Sequence, residues 1–154
     1  MSNFLATFFY VGYIRPAPGT WGSLVALFAG YLLITYTGLY GLFISIFIFV
    51  FLGYWATWAH TYEKDEQDPS EIVIDEVVGQ WIALIPIAFA HLSGVTQALI
   101  YLLAFVGFRI FDITKLGLVG WADRQSGPLG VMLDDIIAGM MTAIIVFAVI
   151  WSLA

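Results

Sequence analysis

Residues 108–139 read FRIFDITKLGLVGWADRQSGPLGVMLDDIIAG, and the rest of the chain has to be arranged around them. The whole 154-residue chain carries five basic and 11 acidic side chains. Seven of these fall in this one stretch: Arg109, Asp112, Lys115, Asp123, Arg124, Asp134 and Asp135. Apolar runs long enough to be membrane helices flank it on both sides. Charge next to a bilayer is costly, so charge kept there marks a functional site by default. The mixture has a clear chemical use: carboxylates hold a hard cation, and Arg and Lys hold phosphate.

Composition sets the class. The chain is 62% hydrophobic with a mean hydropathy of +0.96, and only 10% of its residues are charged. Soluble domains average about 45–50% apolar and about 25% charged residues. So few charges could not cover a soluble surface of this size, and the sequence reads as an integral membrane protein. The net charge of −6, with no basic stripe, argues against nucleic acid as a partner. The absence of Cys excludes disulfides and thiolate metal sites. Residues 1–19 lack a basic leading region and a small-residue cleavage site, so this segment is expected to be retained. By length the chain is a single domain, residues 1–154.

Outward from the charged stretch, the sequence predicts five apolar spans. Pro16 and Pro18 force a turn, after which Thr20 is placed as the N-cap of a helix running to Tyr36. The Gly-rich entry at Gly19–Gly22 can also cradle an anion, but spacing alone favours an ordinary capped turn. Thr37-Gly38 leads into a second span, Leu39–Trp58, whose aromatic end reads as an interfacial belt with His60 as a polar tip. Asp68-Pro69-Ser70-Glu71 looks like a helix start that would set Glu71 and Asp75 on one face. The third span, Val77–Ala90, is short for a ~30 Å hydrocarbon core and is expected to kink at Pro86. Val95–Gly107 and Ile136–Leu153 complete the set.

The turns at Thr37-Gly38 and His91–Gly94 and the tail 151–154 hold no charge. Five crossings therefore place every charged side chain on one face, and the positive-inside rule makes that face cytoplasmic. The expected fold is an all-α, polytopic membrane helical bundle of about five apolar helices, with the charged residues gathered on one side.

One pattern occurs twice. Ile74-Asp75-Glu76-Val77-Val78-Gly79 is echoed by Leu133-Asp134-Asp135-Ile136-Ile137-Ala138-Gly139, a carboxylate pair followed by a Gly that lets helices approach closely. If the pairs meet, Asp75, Glu76, Asp134 and Asp135 form an oxygen site suited to Mg²⁺. Each pair alone could equally be a polar helix start favoured by the dipole.

The segments PAPGTWGSL, DPSEIVIDEVVGQW, FRIFDITK and GVMLDDIIAG resemble, in order and spacing, the phosphatidylglycerophosphatase A family. The resemblance extends from about Gly12 to Gly139. It implies a Mg²⁺-dependent phosphatase of the bacterial inner membrane that converts phosphatidylglycerophosphate to phosphatidylglycerol. The family's acidic and basic motif positions fall on Asp75, Glu76, Arg109, Asp112, Lys115, Asp134 and Asp135. Leu116-Gly117-Leu118 and Gly127-Pro128 depart from the family pattern without removing a charged motif residue.

On this reading Asp75, Glu76, Asp134 and Asp135 hold Mg²⁺. Arg109, Lys115 and Arg124 bind phosphate, and Asp112 positions water or acts as general base. Thr20, Gly22 and Ser23 add neutral phosphate contacts, mostly on the strength of the resemblance. Attack through a phospho-aspartate stays open. For Asp112 and Lys115 the plain alternative is an i,i+3 ion pair, and for Asp123 and Arg124 a solvated loop. Two other functions compete. A lipid phosphotransferase is disfavoured by the absence of DGxxAR-type spacing. An ion-binding or transport protein would set its acids at mid-membrane depth, not at span ends.

Overall fold

The computed structural model describes residues 2–64 and 70–153. Among them every regular element is helical: α1 (Ser2–Ala6), a 3₁₀ turn (Val11–Tyr13), α2 (Pro18–Lys64), α3 (Ile74–Ala83), α4 (Ile85–Phe89), α5 (Gly94–Thr114), α6 (Leu118–Asp123) and α7 (Pro128–Leu153). Three of these, α2, α5 and α7, are long and apolar enough to cross a membrane. The fold is thus an all-helical membrane bundle.

The long helix α2 is not straight. Gly38 has φ 64° and ψ −160°, a conformation open to glycine that breaks the helix into arms 18–37 and 39–64. Contacts show that the arms fold back on each other. Gly22 stands against Val73 and Gly53 against Ile74, two neighbouring residues. Further along, the Trp81 indole N–H donates to the Ala26 carbonyl at 2.9 Å, while its ring lies 4.8 Å from that of Phe49. In an unbroken helix residues 26 and 49 would be ~34 Å apart. Meeting at one tryptophan, they define a hairpin with Gly38 at its tip.

Helix α3 is the axis of the bundle. All of its residues except Glu76 are buried, which explains how a short apolar helix is tolerated: it packs against its neighbours and not against lipid. It stops at Leu84, and Pro86, which has no N–H to donate, sits in the first turn of α4. Against α7 the approach is backbone to backbone. A Cβ at Gly139 would lie 2.3 Å from the Gly79 carbonyl oxygen, and one at Gly79 would lie 2.6 Å from that of Asp135. No larger residue fits either position without parting the helices. This contact brings the two halves of the repeated pattern together.

Several expected boundaries move. The first helix begins at Pro18, and the Thr20 and Trp21 N–H groups both donate to the Ala17 carbonyl, so Thr20 lies inside the first turn and is not the cap. The expected helix start at 68–71 falls partly outside the described residues. Ser70 and Glu71 form a turn, and α3 begins at Ile74, so Glu71 shares no helix face with Asp75. Glu71 instead meets His60 at 3.4 Å, and His60 is 2% exposed, so it is a buried partner and not a polar tip in an interfacial belt. Helix α7 starts at Pro128, which sets Asp134 and Asp135 in its second turn and beyond the strongest reach of the dipole.

Candidate functional site

The converging ends of α3, α5 and α7 enclose a cavity of about 360 Å³. Each element supplies its charged side chains by register. Asp75 and Glu76 lie in the first turn of α3, Asp134 and Asp135 on α7, and Arg109 and Asp112 one turn apart near the end of α5. Lys115 follows α5 as its cap, in the left-handed region at φ 49°. All seven line the cavity, with Ala17, Pro18 and Gly19 from the start of α2 forming one wall.

The repeated pattern folds the same way twice. The Glu76 N–H donates to Asp75 Oδ1 at 3.0 Å, and the Asp135 N–H donates to Asp134 Oδ1 at 2.9 Å. In each pair the first carboxylate is tied to the backbone, and the second residue carries the orphan oxygen. Glu76 Oε2 and Asp135 Oδ1 are buried and meet no hydrogen-bond donor. An ionised oxygen left so is expensive unless a cation completes it.

The two cations are spread across the acids. Arg109 Nη1 lies 2.5 Å from Asp112 Oδ2, 3.7 Å from Glu76 Oε1 and 3.2 Å from Ser23 Oγ. Ser23 Oγ in turn donates to the Gly19 carbonyl at 2.8 Å. Lys115 Nζ lies 3.1 Å from Asp112 Oδ1, reaches Asp123 at 3.5 Å and hydrogen-bonds Asp134. Burial works to lower the Lys115 pKa. The Asp134 hydrogen bond and the fields of Asp134, Asp112 and Asp135 outweigh it and push the ammonium well above the ordinary lysine range. It therefore stays charged at any physiological pH.

Five carboxylates against two cations give the cavity a formal excess of three negative charges. Two groups of oxygens are close enough to share an ion: Asp75, Glu76 and Asp135, and Asp112, Asp134 and Asp135, the atoms of each lying within 4.8 Å of one another. Asp135 belongs to both. Oxygen-only donors with unpaired, buried lone pairs fit a hard divalent cation.

The structure does not bring every expected residue here. Arg124 is exposed and lines no part of the cavity, because α6 carries it to the outer surface. We expect Arg124→Ala to change turnover by less than about two-fold, as surface substitutions usually do; a loss above ten-fold in phosphate release would place it in the site. Gly22 packs on Val73, and Thr20 lies in the first turn of α2 without lining the cavity. Ser23 reaches the cavity through Arg109. Gly19, weighed only as part of a Gly-rich entry and not among the expected site residues, lines the cavity. A Cβ there would lie 2.0 Å from Glu76 Oε1 and 3.3 Å from Arg109 Nη1. The PAPG segment was the available signal, since a glycine in the first turn of a helix permits close approach.

Fold and cavity together define a helical membrane protein in which buried carboxylates and two cations line one cavity, the donor set for a hard cation beside an anion. More specifically, the chain belongs to the phosphatidylglycerophosphatase A family, whose model matches residues 4–150. It is 34% identical over 148 residues to a protein of Haemophilus influenzae named phosphatidylglycerophosphatase A, covering 96% of this chain and 87% of that one. An Escherichia coli protein of the same name is 34% identical over 152 residues, covering 96% and 84%. A Bacteroides thetaiotaomicron protein named putative phosphatidylinositol-3-phosphatase is 35% identical over 152 residues, covering 96% and 92%. No solved structure gives a significant match.

Proposed function

We propose that this protein is a Mg²⁺-dependent lipid phosphomonoesterase that hydrolyses the terminal phosphate of phosphatidylglycerophosphate to give phosphatidylglycerol. The observation that carries this is the convergence of five carboxylates with Arg109 and Lys115 in one cavity, in a chain of this family. Asp75, Glu76, Asp134 and Asp135 would hold the metal, Asp135 standing in both oxygen groups. When bound, Mg²⁺ supplies charge to polarise the phosphoryl oxygens and acidify a water.

The chain's own residues do the rest. Arg109 binds the phosphate with its planar fork and Lys115 binds it as a point charge. In the absence of substrate both cations are held by Asp112, one on each carboxylate oxygen. An arriving phosphate competes for them and releases Asp112 to orient the attacking water. The water oxygen bonds to phosphorus as the bond to the glycerol oxygen breaks. The proton leaving the water, held at Asp112, passes to that departing oxygen. Ser23 accepts a hydrogen bond from Arg109 Nη1 at 3.2 Å and steadies the guanidinium. Inorganic phosphate and the free alcohol of the lipid are the products.

The phosphatidylinositol 3-phosphate implied by one relative's name poses the same problem. In both lipids the phosphomonoester sits on the third carbon, counting from the carbon that bears the phosphodiester. Phosphate release from the two lipids, presented alone to the purified protein, tests the assignment. We expect turnover of phosphatidylglycerophosphate to exceed that of the inositol lipid; turnover of the inositol lipid alone would reassign the substrate.

We further propose a site in the bacterial inner membrane, facing the cytoplasm, with five crossings: the two arms of α2, α3 with α4, α5, and α7. Each long helix or arm meets the ~30 Å requirement, and the shorter α3–α4 unit is sheltered by its neighbours. Since the chain has no Cys, single-Cys variants at exposed positions report sidedness directly. Ser126→Cys should react only from the cytoplasmic face, and Thr37→Cys and Ser93→Cys only from the other. Labelling of Ser93→Cys from the same face as Ser126→Cys would remove the crossing by α5.

A further inference from the structure

We propose that the seam between the first arm of α2 and α5 is the acyl-chain channel of the substrate, and that it holds one fatty-acyl chain while the phosphate occupies the cavity. This rests on the lipid-phosphate reading of the site. The seam contains an apolar groove of about 590 Å³, walled by Leu24, Leu27 and Phe28 on one side and Ala98, Tyr101 and Leu102 on the other.

Continuity with the charged cavity identifies the occupant. Gly19 lines the cavity and Leu24 lines the groove, ~7.5 Å apart along the same helix. On α5, Arg109 and Leu102 stand in the same relation, ~10 Å apart. Ser23, one residue before Leu24 in the chain, accepts a hydrogen bond from Arg109 of the cavity and so ties the near end of the groove to it. A molecule with a phosphate at one end and a hydrocarbon chain at the other matches this sequence of surfaces. Leu24, Phe28 and Leu102 are exposed, so a chain can enter sideways from the bilayer without leaving hydrocarbon. A second apolar cavity of about 430 Å³, between Phe8, Phe9 and the α2 hairpin, is a poorer match. Its first wall residue on α2, Ala29, is ~15 Å beyond Gly19, and none of its walls belongs to α5.

The groove can be blocked without touching the site. Ala98 is exposed in the groove wall, well away from the charged residues, and Ala98→Trp would fill it. Phosphate release would be followed with dihexanoyl and dioleoyl phosphatidylglycerophosphate in detergent. The expected result is a KM raised about 10-fold for the dioleoyl lipid, from lost methylene contacts, with the dihexanoyl lipid changed by less than about two-fold. Equal effects on both lipids, or none on either, would overturn the proposal. A wild-type protein that releases no phosphate from either lipid would refute the site reading instead. The groove is then decided without turnover, by photolabelling the wild-type protein with phosphatidylglycerophosphate or phosphatidylcholine carrying a diazirine at the acyl terminus. Excess label from the phosphate lipid in peptides spanning 24–31 and 94–102 supports the channel, and equal label from the two lipids contradicts it.

Discussion

Replacing Asp135 by Asn should reduce metal-dependent phosphate release about 1,000-fold or more while leaving the protein folded. Asp135 is 3% exposed, and one of its oxygens meets no donor. It is the carboxylate shared by both oxygen groups, so no other single side chain removes as much of the cation's coordination. Loss of one well-placed electrostatic contact costs an enzyme about 10²–10³ in rate, and a shared metal ligand exceeds that. Stability should move the other way. An unpaired buried charge destabilises a fold, and the isosteric amide removes it while the backbone N–H of residue 135 keeps its bond to Asp134. In chelator, the variant should therefore melt no lower than the wild type. Full metal-dependent activity in a folded Asp135→Asn protein would refute the metal assignment.

The second large effect is expected at Arg109. Its guanidinium reaches Glu76, Asp112 and Ser23 at once, spanning α2, α3 and α5. Arg109→Ala should cost about 100- to 1,000-fold in kcat/KM, because the phosphate loses its forked donor and faces the carboxylates with Lys115 alone. Arg109→Lys tests geometry apart from charge. An ammonium on a flexible stem is a point charge without the paired N–H groups that grip a phosphate, so less than about a tenth of the activity should return. Rescue to the wild-type level would mean that only the charge matters. Ser23→Ala, which removes one neutral contact, should cost far less than either.

Much of this arrangement could be read from residues alone, because the chain is so poor in charge. With long apolar runs between them, DE at 75–76, DD at 134–135 and the R-x-x-D-x-x-K run at 109–115 had few places to go. Gly79 and Gly139, each a few residues past a carboxylate pair, signalled the close contact that now joins α3 to α7. The turn at Thr37-Gly38 was equally legible, since an uncharged Thr-Gly between two apolar runs has to reverse the chain. Helix boundaries were less so. Helix α7 reaches back to Pro128 and α5 on to Thr114, and hydropathy cannot register a helix that continues through charged residues. The pairing of His60 with Glu71 depends on the second arm of α2 lying beside the entry to α3, a long-range contact with no local pattern. Arg124 looked like a phosphate ligand from proximity in sequence; α6 turns it outward, and nothing short of the fold reveals that.

The most direct test of the central claim is phosphate release from phosphatidylglycerophosphate by the purified protein in detergent, first with Mg²⁺ and then after chelation. Release that depends on Mg²⁺ and returns when the metal is restored is the predicted result. A folded protein that releases no phosphate with the metal present, or releases it equally well in chelator, would contradict the account.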